Sequence, residues 1–159
     1  PFCLSYYTTG TVTAQAADRL TEILVQEINE RDRFEIISVD AAMAMGDAGG
    51  FDPKKERERI MEAGRLADAD AVLVGHVYRY VERVGTGYAI QTPASVLFDM
   101  DLIRVTDGHT VWNVAVDETQ KSLLENLFNL DTFLKRKARW LKVDELSRFG
   151  IQDALGSLP

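Results

Sequence analysis

The segment from residue 95 to residue 119, SVLFDMDLIRVTDGHTVWNVAVDET, limits the possible folds of this chain more than any other stretch. Two runs in which apolar and polar residues alternate flank a Thr-Asp-Gly sequence, a pattern typical of a β-hairpin. The apolar residues on one face are Val96, Phe98, Met100 and Leu102 in the first run and Trp112, Val114 and Val116 in the second. Both stripes must lie on the same side of the hairpin, because otherwise the core loses half of its members.

The register of this hairpin depends on the length of its turn. A two-residue Asp-Gly turn would set the apolar Leu102 opposite the polar Asn113. A three-residue loop, Thr106-Asp107-Gly108, avoids this mismatch and gives Gly108 the left-handed position of a type I turn with a G1 bulge. The pairs that this register predicts are Val105 with His109, Leu102 with Trp112, Met100 with Val114 and Phe98 with Val116.

The opposite face of the hairpin carries acidic side chains. Asp99 and Asp101 lie two residues apart on it, and Asp117 faces them from the second strand. Alternating Asp is typical of the solvent-facing side of a sheet, and a transition-metal site usually includes a histidine. We therefore interpret this face as solvated. The alternative is a small-molecule or divalent-metal-binding domain, which could be a hydrolase, that uses these three carboxylates.

The remaining chain alternates helical and strand patterns. The predicted strands are residues 2–7, 34–39 and 71–81, and the predicted helices are residues 16–31, 53–68, 123–140 and 143–155. Residues 71–75, Ala-Val-Leu-Val-Gly, are apolar on both faces, which is typical of a central, covered strand. This order predicts one α+β domain over residues 1–159, with a mixed or antiparallel sheet packed against helices. Residues 119–159 form a helical carboxyl-terminal extension packed on it.

Composition and charge argue against several classes of protein. The formal net charge of −7 disfavours nucleic-acid binding, which requires a basic surface to displace counterions. No apolar run approaches the roughly 18 residues of a membrane span. The single cysteine, Cys3, excludes an internal disulfide. Because the chain begins with Pro-Phe rather than Met, we expect a signal peptide or lipid-attachment segment to lie outside this sequence.

No catalytic or cofactor-binding motif is present in the sequence. The glycines at residues 46–50 are not followed by the Gly-Lys-Ser/Thr of a nucleotide-binding loop. His76 falls in a strand pattern with Val74, Tyr78 and Tyr80 on its face, which is typical of a structural histidine without a catalytic partner. We therefore expect a protein that is not an enzyme and that has no cofactor.

Two segments are candidate partner contacts. Tyr88 and Ile90 are apolar residues in the glycine- and proline-bounded stretch 85–94, where surface interaction is one reason to keep them. Basic residues surround Trp140, and such a patch could bind an acidic partner or the anionic headgroups of a membrane surface. The basic residues are Lys135, Arg136, Lys137, Arg139 and Lys142. The alternative is that Tyr88, Ile90 and Trp140 are buried in the core.

Three stretches carry a resemblance to a known family. They are AADRLTEILVQEINERDRFEIIS at residues 16–38, ADAVLVGHV at residues 69–77 and DLIRVTDGHTVW at residues 101–112. Together with the Pro-Phe at the first strand, they resemble the α/β domain of envelope lipoproteins related to CsgG, LpoB and the amino-terminal domain of TolB. The resemblance covers residues 1 to about 118.

The resemblance implies a fold, a location and a mode of action. The fold would be the anticodon-binding-domain-like sandwich of sheet and helices. The protein would be exported as a lipoprotein into the periplasm and attached to the outer membrane through a lipid anchor. Members of the family bind envelope proteins, or copies of themselves, in envelope assembly, secretion or the regulation of an envelope enzyme. The resemblance transfers no catalytic residue.

Overall fold

The computed structural model describes residues 2–8, 12, 14–31, 33–37, 53–85, 90–119 and 141–159. The strands are β1 (Phe2–Thr8), β2 (Ile36–Ile37), β3 (Ala71–Val81), β4 (Val84–Gly85), β5 (Ile90–Thr92), β6 (Ser95–Arg104) and β7 (Thr110–Thr119). The helices are α1 (Ala14–Asn29), α2 (Pro53–Leu66) and α3 (Val143–Leu155). The predicted helix at residues 123–140 lies outside the described residues. The extent of the domain and of its carboxyl-terminal extension stays a prediction.

Five of the strands form one mixed sheet in the order β2-β1-β3-β6-β7. β1 runs parallel to β2 and β3, whereas β6 runs antiparallel to β3 and β7. The predicted α+β class is therefore confirmed. β3 occupies the centre of the sheet, as its run of apolar residues on both faces predicts. The short strands β4 and β5, which were not predicted, pair with each other in a separate ribbon.

Helices cover both faces of the sheet. α1 and α3 pack on the face that carries the main core, which includes Leu20, Phe98 and Leu146. α2 packs on the opposite face, where Ile60 joins a smaller apolar cluster of β3, β6 and the hairpin turn. Each apolar stripe of the sheet is thus matched by the apolar side of a helix. In the described part of the chain, no helix has the length and apolar content of a membrane span.

The register predicted for the β6–β7 hairpin is confirmed along most of its length. Phe98 pairs with Val116, Met100 with Val114 and Leu102 with Trp112. The apolar stripes of both strands therefore face α1 and α3. Gly108 has a φ of +70°, the left-handed conformation predicted for it.

The predicted pairing of Val105 with His109 is wrong. The N–H of Arg104 donates instead to the carbonyl of His109 at 2.9 Å, so the loop contains one residue more than predicted. The register shifts between Leu102 and the next residue, which accommodates the longer loop. Val105 leaves the hairpin because its N–H donates to the carbonyl of Asp70 at 3.0 Å and its side chain is buried beneath α2.

A second irregularity corrects the predicted face of Tyr80. The register of β3 against β6 shifts between Val77 and Arg79, so Tyr78 is an extra residue at a β-bulge. His76 and Tyr78 remain on the α2 side of the sheet, where both contact Asp99. Tyr80 turns to the other side and packs against the main core. Alternation alone could not reveal this change of face, because the bulge adds a residue that the pattern does not mark.

Candidate functional site

A polar cluster lies on the α2 side of the sheet, where β3 and β6 run side by side. The antiparallel register sets His76 of β3 opposite Asp99 of β6, and Asp101 two residues further along β6. All three side chains are partly buried, and the side chain of His76 is 19% exposed. One ligand atom from each of the three lies within 4.8 Å of the other two.

Both ring nitrogens of His76 face carboxylates. Nδ1 lies 2.9 Å from Oδ1 of Asp99, and Nε2 lies 3.4 Å from Oε1 of Glu56, which projects from the first turn of α2. An ionised carboxylate only accepts hydrogen bonds, so the tautomer that suits this contact has its hydrogen on Nδ1 and donates it to Asp99. Nε2 then points at a second carboxylate, and this contact is favourable only when a proton or a cation lies there.

Asp99 is also held by a tyrosine. The hydroxyl of Tyr78 donates to Oδ2 of Asp99 at 2.7 Å. This hydrogen bond, together with burial and the negative charges of Asp99 and Asp101, raises the pKa of Tyr78 to about 12. Tyr78 therefore stays a protonated donor at neutral pH. With one oxygen facing His76 and the other accepting from Tyr78, Asp99 is suited to fix the orientation of the imidazole ring.

The cluster borders a small pocket between α2 and the sheet. The pocket has a volume of about 110 Å³. Its lining residues are Glu56, Arg57, Ile60, Val74, His76, Asp101 and Ile103. Asn113 of β7 donates to Oδ1 of Asp101 at 2.9 Å and so orients that carboxylate. The guanidinium of Arg57 donates to the carbonyl of Gly108 in the hairpin turn.

The structure brings together two of the three carboxylates proposed from sequence. Asp99 and Asp101 lie beside His76, whereas Asp117 accepts from the guanidinium of Arg79. The interpretation of the whole face as solvated is wrong on β6, because α2 covers Ile103, which is only 4% exposed. It is correct on β7, where Asp117 and its neighbours on that face are exposed.

Sequence reasoning missed the contributions of His76 and Glu56. The position of His76 could have been predicted by aligning β3 and β6 as antiparallel neighbours. When the apolar residues of the two strands are paired, His76 lies opposite Asp99. No comparable signal identified Glu56. Its position depends on how α2 crosses the sheet, and residues 38–52, which connect β2 to that helix, carry no pattern that determines the crossing.

Most of the predicted partner contacts lie outside the described residues. These are Tyr88, Lys135, Arg136, Arg139 and Trp140. Ile90 begins β5, and only its backbone is described. The chain that leads into this ribbon carries exposed apolar side chains: Tyr78 is 47% exposed, Val81 39% and Val84 52%. Ile90 and Tyr88 therefore stay predicted contacts, and the exposed apolar residues Val81 and Val84 precede them in the chain.

A further polar network joins β3 to the first turn of α3. The hydroxyl of Tyr80 and the guanidinium of Arg19 both donate to the carboxylate of Asp144. Burial acts to raise the pKa of Asp144, but these two donors outweigh it and hold the pKa below its usual value. Burial and the bond to Asp144 raise the pKa of Tyr80. The charged form of Asp144 is therefore the one that stabilises the fold.

This network predicts a pH-dependent effect of Asp144→Asn. A carboxyl with a lowered pKa in the folded state stabilises the protein above its unfolded pKa of about 3.9, and this contribution is lost as the pH falls through the folded pKa. We expect Asp144→Asn to lower Tm by about 1–3 °C at pH 7 and to have a progressively smaller effect below about pH 4. Calorimetry between pH 7 and pH 2.5 measures this difference. A difference in Tm that is constant with pH would contradict it.

No protein-family model matches the sequence, and comparison with curated proteins gives no match. Solved structures do share the fold. A PelC dodecamer from Paraburkholderia phytofirmans has a TM-score of 0.63 at 16% identity, over 97% of this chain and 83% of that chain. Lipoprotein GNA1162 from Neisseria meningitidis has a TM-score of 0.53 at 12% identity, over 86% of this chain and 95% of that chain.

The LpoB C-terminal domain from Salmonella enterica also matches, with a TM-score of 0.48 at 21% identity, over 75% of this chain and 82% of that chain. This superposition is looser than the other two. The likeness to GNA1162 confirms that the chain shares the fold of that lipoprotein. At these identities the likeness concerns the fold alone, and the suggested relation to CsgG and TolB stays a prediction.

Proposed function

We propose that this chain is a protein-interaction module of an exported bacterial lipoprotein, and that it acts in the cell envelope by binding other proteins rather than by catalysis. Its place would be the periplasm, at the outer membrane, where a lipid anchor outside this sequence would hold it. Its role would be envelope assembly, secretion or the regulation of an envelope enzyme. The fold shared with lipoprotein GNA1162 supports the location.

The observation that carries this proposal is the exposed apolar surface at the ribbon. We name this surface, formed by Tyr78, Val81 and Val84, the ribbon patch. Each of its side chains is more than one third exposed, although all three are apolar or aromatic. Exposed apolar side chains that follow one another closely along the chain are a candidate site of protein contact. The predicted contacts Tyr88 and Ile90 continue the same stretch along the chain and extend the proposed surface.

A single charge in the ribbon patch tests this proposal. We expect Val84→Lys to weaken partner binding at least about 10-fold while Tm stays within about 2 °C of the unmodified protein, because Val84 is exposed and its removal opens no cavity. Partners are recovered from detergent-solubilised envelope with this domain as bait and identified. Their Kd values are then measured with purified proteins. The double change Tyr88→Ala and Ile90→Ala should weaken binding similarly with an unchanged Tm.

Leu66→Lys provides the matched control. Leu66 is the most exposed large apolar residue of the described chain, at 79%, and lies at the end of α2, outside the ribbon patch. Leu66→Lys introduces the same positive charge on a surface outside the proposed contact site. Equal binding by the Val84→Lys and Leu66→Lys variants would contradict the proposal, as would a large loss of Tm in the Tyr88 and Ile90 double variant. The latter result would identify these two residues as part of the core.

A second candidate is an assembly subunit whose partner is another copy of this chain. The observation in its favour is that the PelC structure with the same fold is a dodecamer, and that the match spans 97% of this chain. Light scattering during size-exclusion chromatography distinguishes the candidates. A mass that is a multiple of the protomer mass, and that Val84→Lys reduces, would favour self-assembly. A monomer that still captures an envelope protein would favour the adaptor.

A further inference from the structure

We propose that the pocket beneath α2 binds a divalent transition-metal cation of the zinc class. Nε2 of His76 and the carboxylates of Glu56 and Asp101 would be its ligands, and Asp99 would act as a positioning residue. We name this set the α2 pocket site. The α2 pocket site adjoins the ribbon patch at Tyr78, which donates to Asp99, but the inference does not depend on the proposed function.

The orientation of the imidazole ring is the first support. A metal-binding histidine commonly donates the hydrogen of its other ring nitrogen to a carboxylate, which fixes the tautomer and makes the ligating nitrogen more basic. His76 has this arrangement, since its Nδ1 lies 2.9 Å from Oδ1 of Asp99. Asp99 is in turn fixed by the hydroxyl of Tyr78 at 2.7 Å. The nitrogen directed at Glu56 is therefore the one that would bind a cation together with that carboxylate.

The distance between Nε2 and Glu56 is the second support. A charge-assisted hydrogen bond between nitrogen and a carboxylate is usually 2.7–2.9 Å long. The observed separation from Nε2 of His76 to Oε1 of Glu56 is 3.4 Å. Ligands bound at about 2.0–2.2 Å in a tetrahedral zinc site lie roughly 3.4 Å apart. The two atoms thus have the spacing of neighbouring ligands around one ion, and they are farther apart than a good ion pair requires.

Asp101 supplies the third ligand from the floor of the pocket. It lines the same pocket as His76 and Glu56, whereas Asp99 does not. Its carboxylate, that of Asp99 and a ring nitrogen of His76 have ligand atoms within 4.8 Å of one another, so Asp101 and His76 are close enough to bind the same ion. Asn113 donates to Asp101 at 2.9 Å and orients it from β7. A bound water would occupy the fourth position.

The charges around the pocket favour a cation and its class. Three carboxylates, those of Glu56, Asp99 and Asp101, surround the imidazole of His76. Arg57 is the cation that lines the pocket, and its guanidinium bonds to the hairpin turn at Gly108. An imidazole nitrogen among the ligands favours zinc, cobalt or nickel over calcium and magnesium, which prefer oxygen ligands. The experiment must distinguish metal binding from the alternative, in which the imidazole is protonated and the cluster holds no metal.

The experiment is a titration of untagged protein with Zn²⁺ or Co²⁺ after treatment with a chelator. We expect saturable binding of one ion per chain and a rise in Tm of about 5–10 °C at 100 times Kd. Bound Co²⁺ should give the intense visible absorption of a tetrahedral site. Ca²⁺ at the same concentrations should leave Tm unchanged, because the ligand set includes a nitrogen.

Two pairs of variants locate the site. His76→Gln should weaken Co²⁺ binding more than 100-fold, whereas His109→Gln, which changes the only other histidine of the chain, should leave it unchanged. Asp101→Asn should weaken binding at least 10-fold, and Asp117→Asn, on the same side of the sheet but paired with Arg79, should not. Asp99→Asn should lower affinity 10–100-fold while the tetrahedral Co²⁺ spectrum is retained, as expected of a positioning residue.

Several outcomes would overturn the inference. Failure of Zn²⁺, Co²⁺ and Ni²⁺ to bind saturably, in a protein whose circular dichroism shows it to be folded, would leave the cluster as a set of hydrogen-bonded side chains that holds no metal. Equal loss of binding in the His76→Gln and His109→Gln variants would place the metal elsewhere. A preference for Ca²⁺ would contradict the role of His76 as a ligand. Loss of the metal with unchanged partner binding would separate this site from the ribbon patch.

Discussion

Phe98→Ala is expected to lower the free energy of unfolding by about 3–5 kcal/mol, one of the two largest losses that we expect from single changes in this chain. Phe98 is fully buried in the middle of β6 and pairs with Val116 of β7. α3 approaches this pair closely, because a Cβ on Gly150 would lie 2.6 Å from Val116 and 3.9 Å from Phe98. Because α3 and the sheet are already in close contact here, truncation of Phe98 would leave a cavity that neither of them can fill.

Urea unfolding followed by circular dichroism measures this loss, and Leu66→Ala is the control. Leu66 is 79% exposed, so its truncation should change the free energy of unfolding by less than about 0.5 kcal/mol. A loss below about 1 kcal/mol for Phe98→Ala would mean that Phe98 does not face the core. A one-residue slip of the register would produce that result, because it moves every side chain of the strand to the other face.

The part of the fold that could be predicted from sequence is the part that local periodicity determines. β3 spans the predicted residues 71–81, and α3 spans the predicted residues 143–155. In α3 the apolar residues recur at the helical period, and β3 begins with a run that is apolar on both faces, which is typical of a central strand. The hairpin register was predictable for the same reason, since only one alignment sets Leu102 opposite Trp112 and leaves both apolar stripes on one face.

The part that could not be predicted depends on contacts between distant segments. Val105 leaves the strand pairing of the hairpin because the carbonyl of Asp70 accepts its N–H and α2 covers its side chain. Tyr80 changes face because of a bulge that leaves no mark in the residue pattern. The α2 pocket site likewise depends on contacts between distant segments of the chain. His76 and Asp99 meet only through the pairing of β3 with β6, and Glu56 reaches them only from a helix on top of the sheet.

The two proposed sites lie on separable surfaces of one sheet. The ribbon patch lies at the end of β3, whereas the α2 pocket site lies at the middle of that strand. Tyr78 belongs to the ribbon patch, and its hydroxyl donates to Asp99 beside the α2 pocket site. Val84→Lys and Asp101→Asn change one site each without touching Tyr78. An effect of Asp101→Asn on partner binding, or of Val84→Lys on metal binding, would therefore show that the two sites are coupled through this tyrosine.

Arg148→Met is expected to cost about 2–4 kcal/mol in the free energy of unfolding, because it leaves a buried charge without its main partner. Glu27 of α1 is only 4% exposed, and its carboxylate accepts from the guanidinium of Arg148 and from the amide of Gln152 on α3. Together these contacts join the two helices that cover the main core. The expected cost is below that of a fully buried pair, since the side chain of Arg148 is 39% exposed and Gln152 still donates.

A double-mutant cycle with Glu27→Met separates the free energy of the Glu27–Arg148 interaction from the cost of burying the unpaired carboxylate of Glu27. Replacing Glu27 and Arg148 together removes both charges from the α1–α3 contact, so the double variant should regain at least half of the loss caused by Arg148→Met alone. The measurement is urea unfolding of all four proteins under one set of conditions. Additive losses would show that the two side chains act independently. A cost below about 1 kcal/mol for Arg148→Met would show that Glu27 reaches solvent by changing its rotamer, and that this ion pair contributes little to the contact between α1 and α3.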